Sequence, residues 1–133
     1  MKIKEVEKQD NKKALQIYNE CFHLNKKNDN FQPDKNLIGL YQEQELIGLC
    51  QIDFINNLLE DEKIAYLNSF CITPKEQNKG YGDCFLKEII QYCKEQKATK
   101  INLTSNSKRK YAHQLYQKNN FTIIDTVFLN KDI

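Results

Sequence analysis

No stretch of this sequence approaches the run of about eighteen apolar residues that a membrane-spanning helix requires. Its opening, MKIKEVEKQD, alternates charge instead of carrying an apolar signal core. Membrane insertion and secretion are therefore not expected, and a cytoplasmic location is. Histidine is scarce: His23 and His113 stand far apart and neither has a second His or Cys at ligand spacing, so no metal site is expected. The five cysteines (Cys21, Cys50, Cys71, Cys84 and Cys93) are odd in number and include no C-x-x-C pair. Most lie in apolar-rich runs, and they read as reduced, largely buried thiols. Charge of one sign is missing as well. Twenty Lys plus Arg stand against eighteen Asp plus Glu, with the signs interspersed, which is no electrostatic footprint for nucleic acid. Repeats, linkers and low-complexity tracts are absent, and 133 residues fit one domain, so residues 1–133 are read as a single unit.

What is present is a change of hydrophobic period along the chain. Residues 3–6 alternate as a short strand, and Asp10 offers an N-cap to a helix with the apolar stripe Ala14, Leu15, Ile17, Tyr18, Cys21 and Phe22. Residues 23–36 lose periodicity around a lone Phe31 and predict a loop with room for one helical turn. Residues 37–41 and 46–55 are β-prone, with the polar QEQE stretch as a hairpin connection; residues 63–72 predict a third long strand, which Pro74 stops. After Gly82 the period becomes helical, through Phe85, Leu86, Ile89, Ile90 and Cys93. Residues 100–104 alternate as a strand that should lie parallel to its predecessor after the helical crossover. A short helix over residues 111–118 and a terminal hairpin of residues 121–125 and 127–131 complete the expected order. That order predicts an α/β sandwich with one mixed sheet.

Glycine is scarce too, and its distribution is uneven. Two of the four glycines fall in Gln77-Asn78-Lys79-Gly80-Tyr81-Gly82, between a strand's C-terminal end and a helix's N-terminus. Free backbone N–H groups and the helix dipole favour phosphate there, and glycine lets a ligand approach the main chain without a Cβ in the way. The plainer reading is that Gly80 and Gly82 only shape the turn. A dinucleotide fingerprint fits worse, because Phe85 stands where the third glycine belongs and the neutral Thr104 and Ser105 stand where an acid should end the next strand.

With Pro74 three residues ahead, the hexapeptide resembles the Gln/Arg-x-x-Gly-x-Gly/Ala loop of the GNAT superfamily of N-acetyltransferases. Ala112-His113-Gln114-Leu115-Tyr116-Gln117-Lys118-Asn119-Asn120-Phe121 is similar to that family's Ala-x-x-Phe/Leu-Tyr-x-x-x-Gly-Phe element. The resemblance implies an α/β/α sandwich whose mixed, mostly antiparallel sheet is splayed between the strands ending at Ile72 and Thr104. It implies that acetyl-CoA binds with its pyrophosphate on the amides of Gln77, Asn78, Lys79, Gly80, Tyr81 and Gly82 and its pantetheine arm along the main chain of Cys71 and Ile72. It further implies Tyr116 as general acid and an N–H near Cys71 or Ile72 as polariser of the thioester. Two positions depart from the pattern. Arg109 replaces the Asn that touches pantetheine in many relatives, and Asn120 replaces the glycine before Phe121, where Asn tolerates the left-handed conformation at a helix end.

The function the resemblance implies is direct transfer of acetyl to a primary amine of a small molecule or peptide. Many relatives place Glu where this chain has Asn68, so no general base is assigned; Asp53, Glu20 and the turn Glu60-Asp61-Glu62 are the candidates. Cys71 is read as a backbone contributor, since a buried strand cysteine is usually inert. The alternative is a non-catalytic CoA-binding sensor or interaction module, for which Tyr116 would have no use. A modifier of charged tRNA or of a protein terminus would share the chemistry and differ in acceptor. Residues 23–34 and the loops around Asn56 and Lys131 are expected to meet the acceptor, and a homodimer is compatible with this reading.

Overall fold

Alternating and helical periods become the elements in the expected order. The computed structural model describes residues 1–27, 31–34 and 36–133. Strand β1 (Lys2–Glu5) leads through a 3-10 turn to helix α1 (Asn11–Phe22); then come β2 (Leu37–Gln42), β3 (Glu45–Asn57), β4 (Glu62–Ile72), α2 (Tyr81–Glu95), β5 (Lys100–Leu103) and α3 (Lys110–Lys118). The five strands form one sheet in the order β1-β2-β3-β4-β5. Neighbours are antiparallel except β4 and β5, the parallel pair that the α2 crossover requires. The fold is thus the α/β arrangement with one mixed sheet that the patterning predicts. Asn28, Asn30 and part of the loop expected over residues 23–36 lie outside the described residues.

Both faces of the sheet are covered, which is why β2 is buried along almost its whole length. Ala14 and Ile17 of α1 pack on Leu37, Tyr41 and Leu49 on one side. Phe85, Leu86 and Ile89 of α2, with Tyr116 of α3, pack on Ile38, Ile47 and Leu67 on the other. Asp10 precedes α1 as expected but makes no side-chain cap; its carboxylate instead accepts the Tyr41 hydroxyl at 2.7 Å.

Helix ends use left-handed residues other than glycine. Beyond α3 the N–H of Asn120, at φ 69°, donates to Gln117 O, and the N–H of Phe121 donates to Tyr116 O. This is the Schellman pattern, with its hydrophobic contact supplied by the Tyr116 and Phe121 rings, 5.7 Å apart. Lys97, at φ 68°, ends α2 in the same way through Ala98 and Cys93.

The terminal hairpin is not formed. Residues 121–133 carry no strand, and Ile123, Ile124, Val127, Phe128 and Leu129 are all exposed. The expected strands meet at Thr126, with no Gly or Asn there to take the positive φ that a tight hairpin turn needs. Among the described residues no helix is long and apolar enough to cross a membrane.

Candidate functional site

The seam between β4 and β5 is short. Ile64 to Leu67 pair with Lys100 to Leu103, and from Asn68 onward β4 has no strand partner on that side among the described residues. A bulge widens the opening: between the pairs Leu49/Cys71 and Gln51/Asn68, Ser69 and Phe70 stand against the single residue Cys50, and Ser69 takes φ 56°. Such a bulge bends the strand and re-aims its main chain. β4 stays paired with β3 through Ile72, while its other edge beyond Leu67 faces no strand among the described residues.

The loop that follows is tied back to this strand, for Gln77 Nε2 donates to Ile72 O at 2.9 Å. Asn78 and Gly80 have positive φ, 64° and 86°. A Cβ at Gly80 would meet nothing within 4 Å, so the backbone conformation and not crowding is what favours glycine there. α2 starts with no side-chain cap, and Cys84 N–H makes its first-turn bond to Gly80 O. The N–H groups of Tyr81, Gly82 and Asp83 precede that bond and have no acceptor within the helix. Free donors of this kind at a helix start favour an anion.

Strand end, loop and α3 enclose a cavity of about 570 Å³. Cys71, Ile72, Gln77, Asn78, Gly80 and Gly82 line it, and Tyr116 faces them from α3. Of the residues singled out in the sequence, Lys79 and Tyr81 are not among its lining: Lys79 pairs with Glu76 at 3.1 Å, and the Tyr81 hydroxyl accepts from Gln42 Nε2 at 3.1 Å. Tyr116 packs edge-on against Phe70 at 6.3 Å. Burial raises its pKa, an effect the Arg109 charge partly opposes. Its hydroxyl thus keeps its proton at neutral pH.

A match to the Acetyltransferase (GNAT) family extends over residues 3–121. The chain belongs to the GNAT family. A curated relative, the spermine/spermidine N(1)-acetyltransferase of Bacillus subtilis (strain 168), is 33% identical over 87 residues, which are 63% of this chain and 57% of that protein. The chain thus spans little more than half the length of the curated relative it matches. A solved protein of Agrobacterium tumefaciens str. C58 has the same fold, with TM-score 0.85 at 13% identity over 99% of this chain and 100% of that one. That overlap extends into the C-terminal segment. An aminoglycoside acetyltransferase from an uncultured soil metagenomic sample, solved with trehalose, gives TM-score 0.77 at 16% identity over 99% and 95% of the two chains.

Sequence reasoning missed part of this GNAT cavity. Cys21 and Phe22, at the end of α1, line it, as do Lys108 and Arg109 ahead of α3. Arg109 was visible only as a departure from the family pattern, Lys108 was not singled out at all, and Cys21 was visible only as one more apolar position on a helix. Cys21 Sγ lies 3.2 Å from Ile72 O and in hydrogen-bonding contact with Cys71. That contact lowers the Cys21 pKa, while the bond to Cys21 and burial raise the Cys71 pKa.

The candidate bases do not reach this GNAT cavity. Both Asp53 oxygens accept amide donors, from Asn36 at 2.6 Å and Gln51 at 2.9 Å, and neither Asp53 nor Glu20 lines it. The turn Glu60-Asp61-Glu62 joins β3 to β4 at the far end from Ile72, with Glu62 paired to Lys100 at 3.4 Å. The carboxylates that do line the cavity are engaged: Glu76 with Lys79, and Asp83 with Lys87, Lys118 and Asn119.

Proposed function

We propose that this GNAT domain transfers acetyl from acetyl-CoA directly to a primary amine, with a polyamine as the first acceptor to test. The observation that carries the reading is the single cavity shared by the uncapped start of α2, the open edge at the end of β4 and the Tyr116 hydroxyl. The donor set fits the cosubstrate. N–H groups of Tyr81, Gly82 and Asp83 would hold phosphate oxygens, with the Lys108 and Arg109 cations beside them, and the free edge of β4 at Cys71 and Ile72 would receive an amide-bearing arm. The Ile72 carbonyl already accepts from Gln77 and Cys21, so its contribution to that arm falls to the N–H.

Bound acetyl-CoA supplies a thioester whose carbonyl an amine can attack. The chain's own share is to exclude water with Phe22 and Phe70, to orient the arm on β4, and to give a proton from Tyr116 Oη to the departing thiolate. Among the described residues the carboxylates that line the cavity are paired, so the acceptor's proton is taken to leave through solvent. The polyamine proposal rests on the likeness to the Bacillus subtilis protein; amino acids, aminoglycosides and peptides complete the panel.

Thiol release from acetyl-CoA with spermidine tests the reading. The wild type should turn over, and Tyr116→Phe, which keeps the ring and its packing, should lose about 10²-fold or more in rate with its melting temperature unchanged. Equal turnover in the variant would remove Tyr116 from the chemistry. A wild type that acetyl-CoA stabilises but that acetylates no amine in the panel would be the CoA-binding sensor instead.

A further inference from the structure

Two of the five cysteines meet at one wall of the cavity. Cys21 comes from the last turn of α1 and Cys71 from the end of β4, so the contact between them is made by tertiary packing alone. Cys21 Sγ lies 3.2 Å from Ile72 O and in hydrogen-bonding contact with the Cys71 thiol, and both side chains belong to the cluster that α1 buries against the sheet. The other three cysteines are placed differently. Cys50 and Cys93 are buried on the opposite face of the sheet, and Cys84, partly exposed on α2, does not line the cavity.

The two thiols are unequal. Cys21 is partly exposed and opens on the cavity, where Arg109 also stands. Its contact with Cys71 lowers its pKa, burial and the Glu20 charge oppose that shift, and the Arg109 charge assists it. Cys71 is buried, and its bond to Cys21 together with that burial raises its pKa, so it keeps its proton. A reachable thiol that ionises readily, set against a second thiol that can resolve it, is what oxidation at a chosen cysteine requires. Packing alone would explain a buried Cys71. It would not explain why its partner sulfur faces the cavity.

We propose that Cys21 and Cys71 are a two-electron redox site for small hydroperoxides, in which Cys21 reacts first and Cys71 resolves it to a disulfide. The Cys21 thiolate attacks a peroxide oxygen: an S–O bond forms, the O–O bond breaks, and the departing hydroxide takes the thiol's proton and leaves as water. Cys71 sulfur then attacks the Cys21 sulfenic acid. The S–S bond forms, the S–O bond breaks, and the hydroxide leaves with the Cys71 proton as a second water. Hydrogen peroxide is thus reduced to two waters while the thiol pair is oxidised, and a dithiol reverses the bond by exchange. The disulfide removes the Cys21 donor from the Ile72 carbonyl and holds the last turn of α1, with Phe22, against β4. On the function proposed above, which lays the cosubstrate's arm along Cys71 and Ile72, the oxidised cavity is closed to acetyl-CoA.

Mass spectrometry of the reduced full chain treated with hydrogen peroxide reads the site without acetyl-CoA, so it stands or falls apart from the proposed function. The intact mass should fall by two hydrogens, and peptide mapping should find Cys21 joined to Cys71 by a bond that dithiothreitol opens. Cys71→Ser should instead hold Cys21 as a sulfenic acid that dimedone traps, and Cys21→Ser should yield neither product. Melting curves then read the closure: acetyl-CoA should stabilise the reduced chain and fail to stabilise the oxidised one. Peroxide treatment that leaves Cys21 and Cys71 unlinked would overturn the proposal. So would a dimedone adduct on Cys71 in Cys21→Ser, which would reverse the order of reaction, or equal stabilisation of the reduced and oxidised chains by acetyl-CoA.

Discussion

Gly80 is the residue at which conformation and chemistry can be separated. At φ 86° with open space around a Cβ, Gly80→Asn and Gly80→Asp should both fold, each at a cost of about 1 kcal/mol for the left-handed backbone. Only the aspartate puts a negative charge beside the start of α2. Acetyl-CoA should therefore raise the melting temperature of Gly80→Asn and fail to raise that of Gly80→Asp. If both variants respond as the wild type does, phosphate is held elsewhere. Cys21 shows the converse case, a residue whose role depends on its neighbour. Its thiol donates to the Ile72 carbonyl and its pKa is lowered by the neighbouring Cys71, whereas burial raises those of Cys50 and Cys93, the latter to about 11.

At the scale of elements, the end of α3 carries a prediction that follows from its cap. Asn120 holds φ 69° between two hydrogen bonds that anchor Phe121, so Asn120→Gly should be neutral or slightly stabilising. Asn120→Val, β-branched, should cost about 1 kcal/mol or more. Urea midpoints decide it, and equal midpoints would show that the turn relaxes. The left-handed Asn was legible in the sequence because helix-end chemistry is local. So were the strand-to-helix switch at Gly82 and the order of elements, each set by side-chain period within a few residues. The bulge at Ser69 was not legible, since nothing in Asn68-Ser69-Phe70 marks it and it arises from register against β3. Nor was the approach of Cys21 and Arg109 to one cavity, which depends on where α1 and α3 pack. The terminal hairpin failed for a different reason: β propensity forecast the strands, but no residue encodes the turn between them.

At the scale of the whole molecule, β2, β3 and β4 form a meander joined by short turns, with β1 added to one side across α1 and β5 to the other across α2. Contacts close in sequence are cheap in loop entropy and form early, whereas the β4–β5 seam must wait for α2 to cross over. The cavity lies just beyond the end of that seam, from Phe70 onward. Folding kinetics should accordingly treat the two regions differently: truncations at Ile38 or Ile52 should slow refolding, and truncation at Leu103 should mainly speed unfolding. Acetyl-CoA, binding where contacts are absent from the transition state, should then lower the unfolding rate in stopped-flow experiments and leave the refolding rate unchanged. Acceleration of refolding by the ligand would mean that the seam closes before the barrier. The short parallel pairing that opens the site would also make its occupant act as a brake on unfolding, so that cosubstrate supply sets how long each folded molecule lasts.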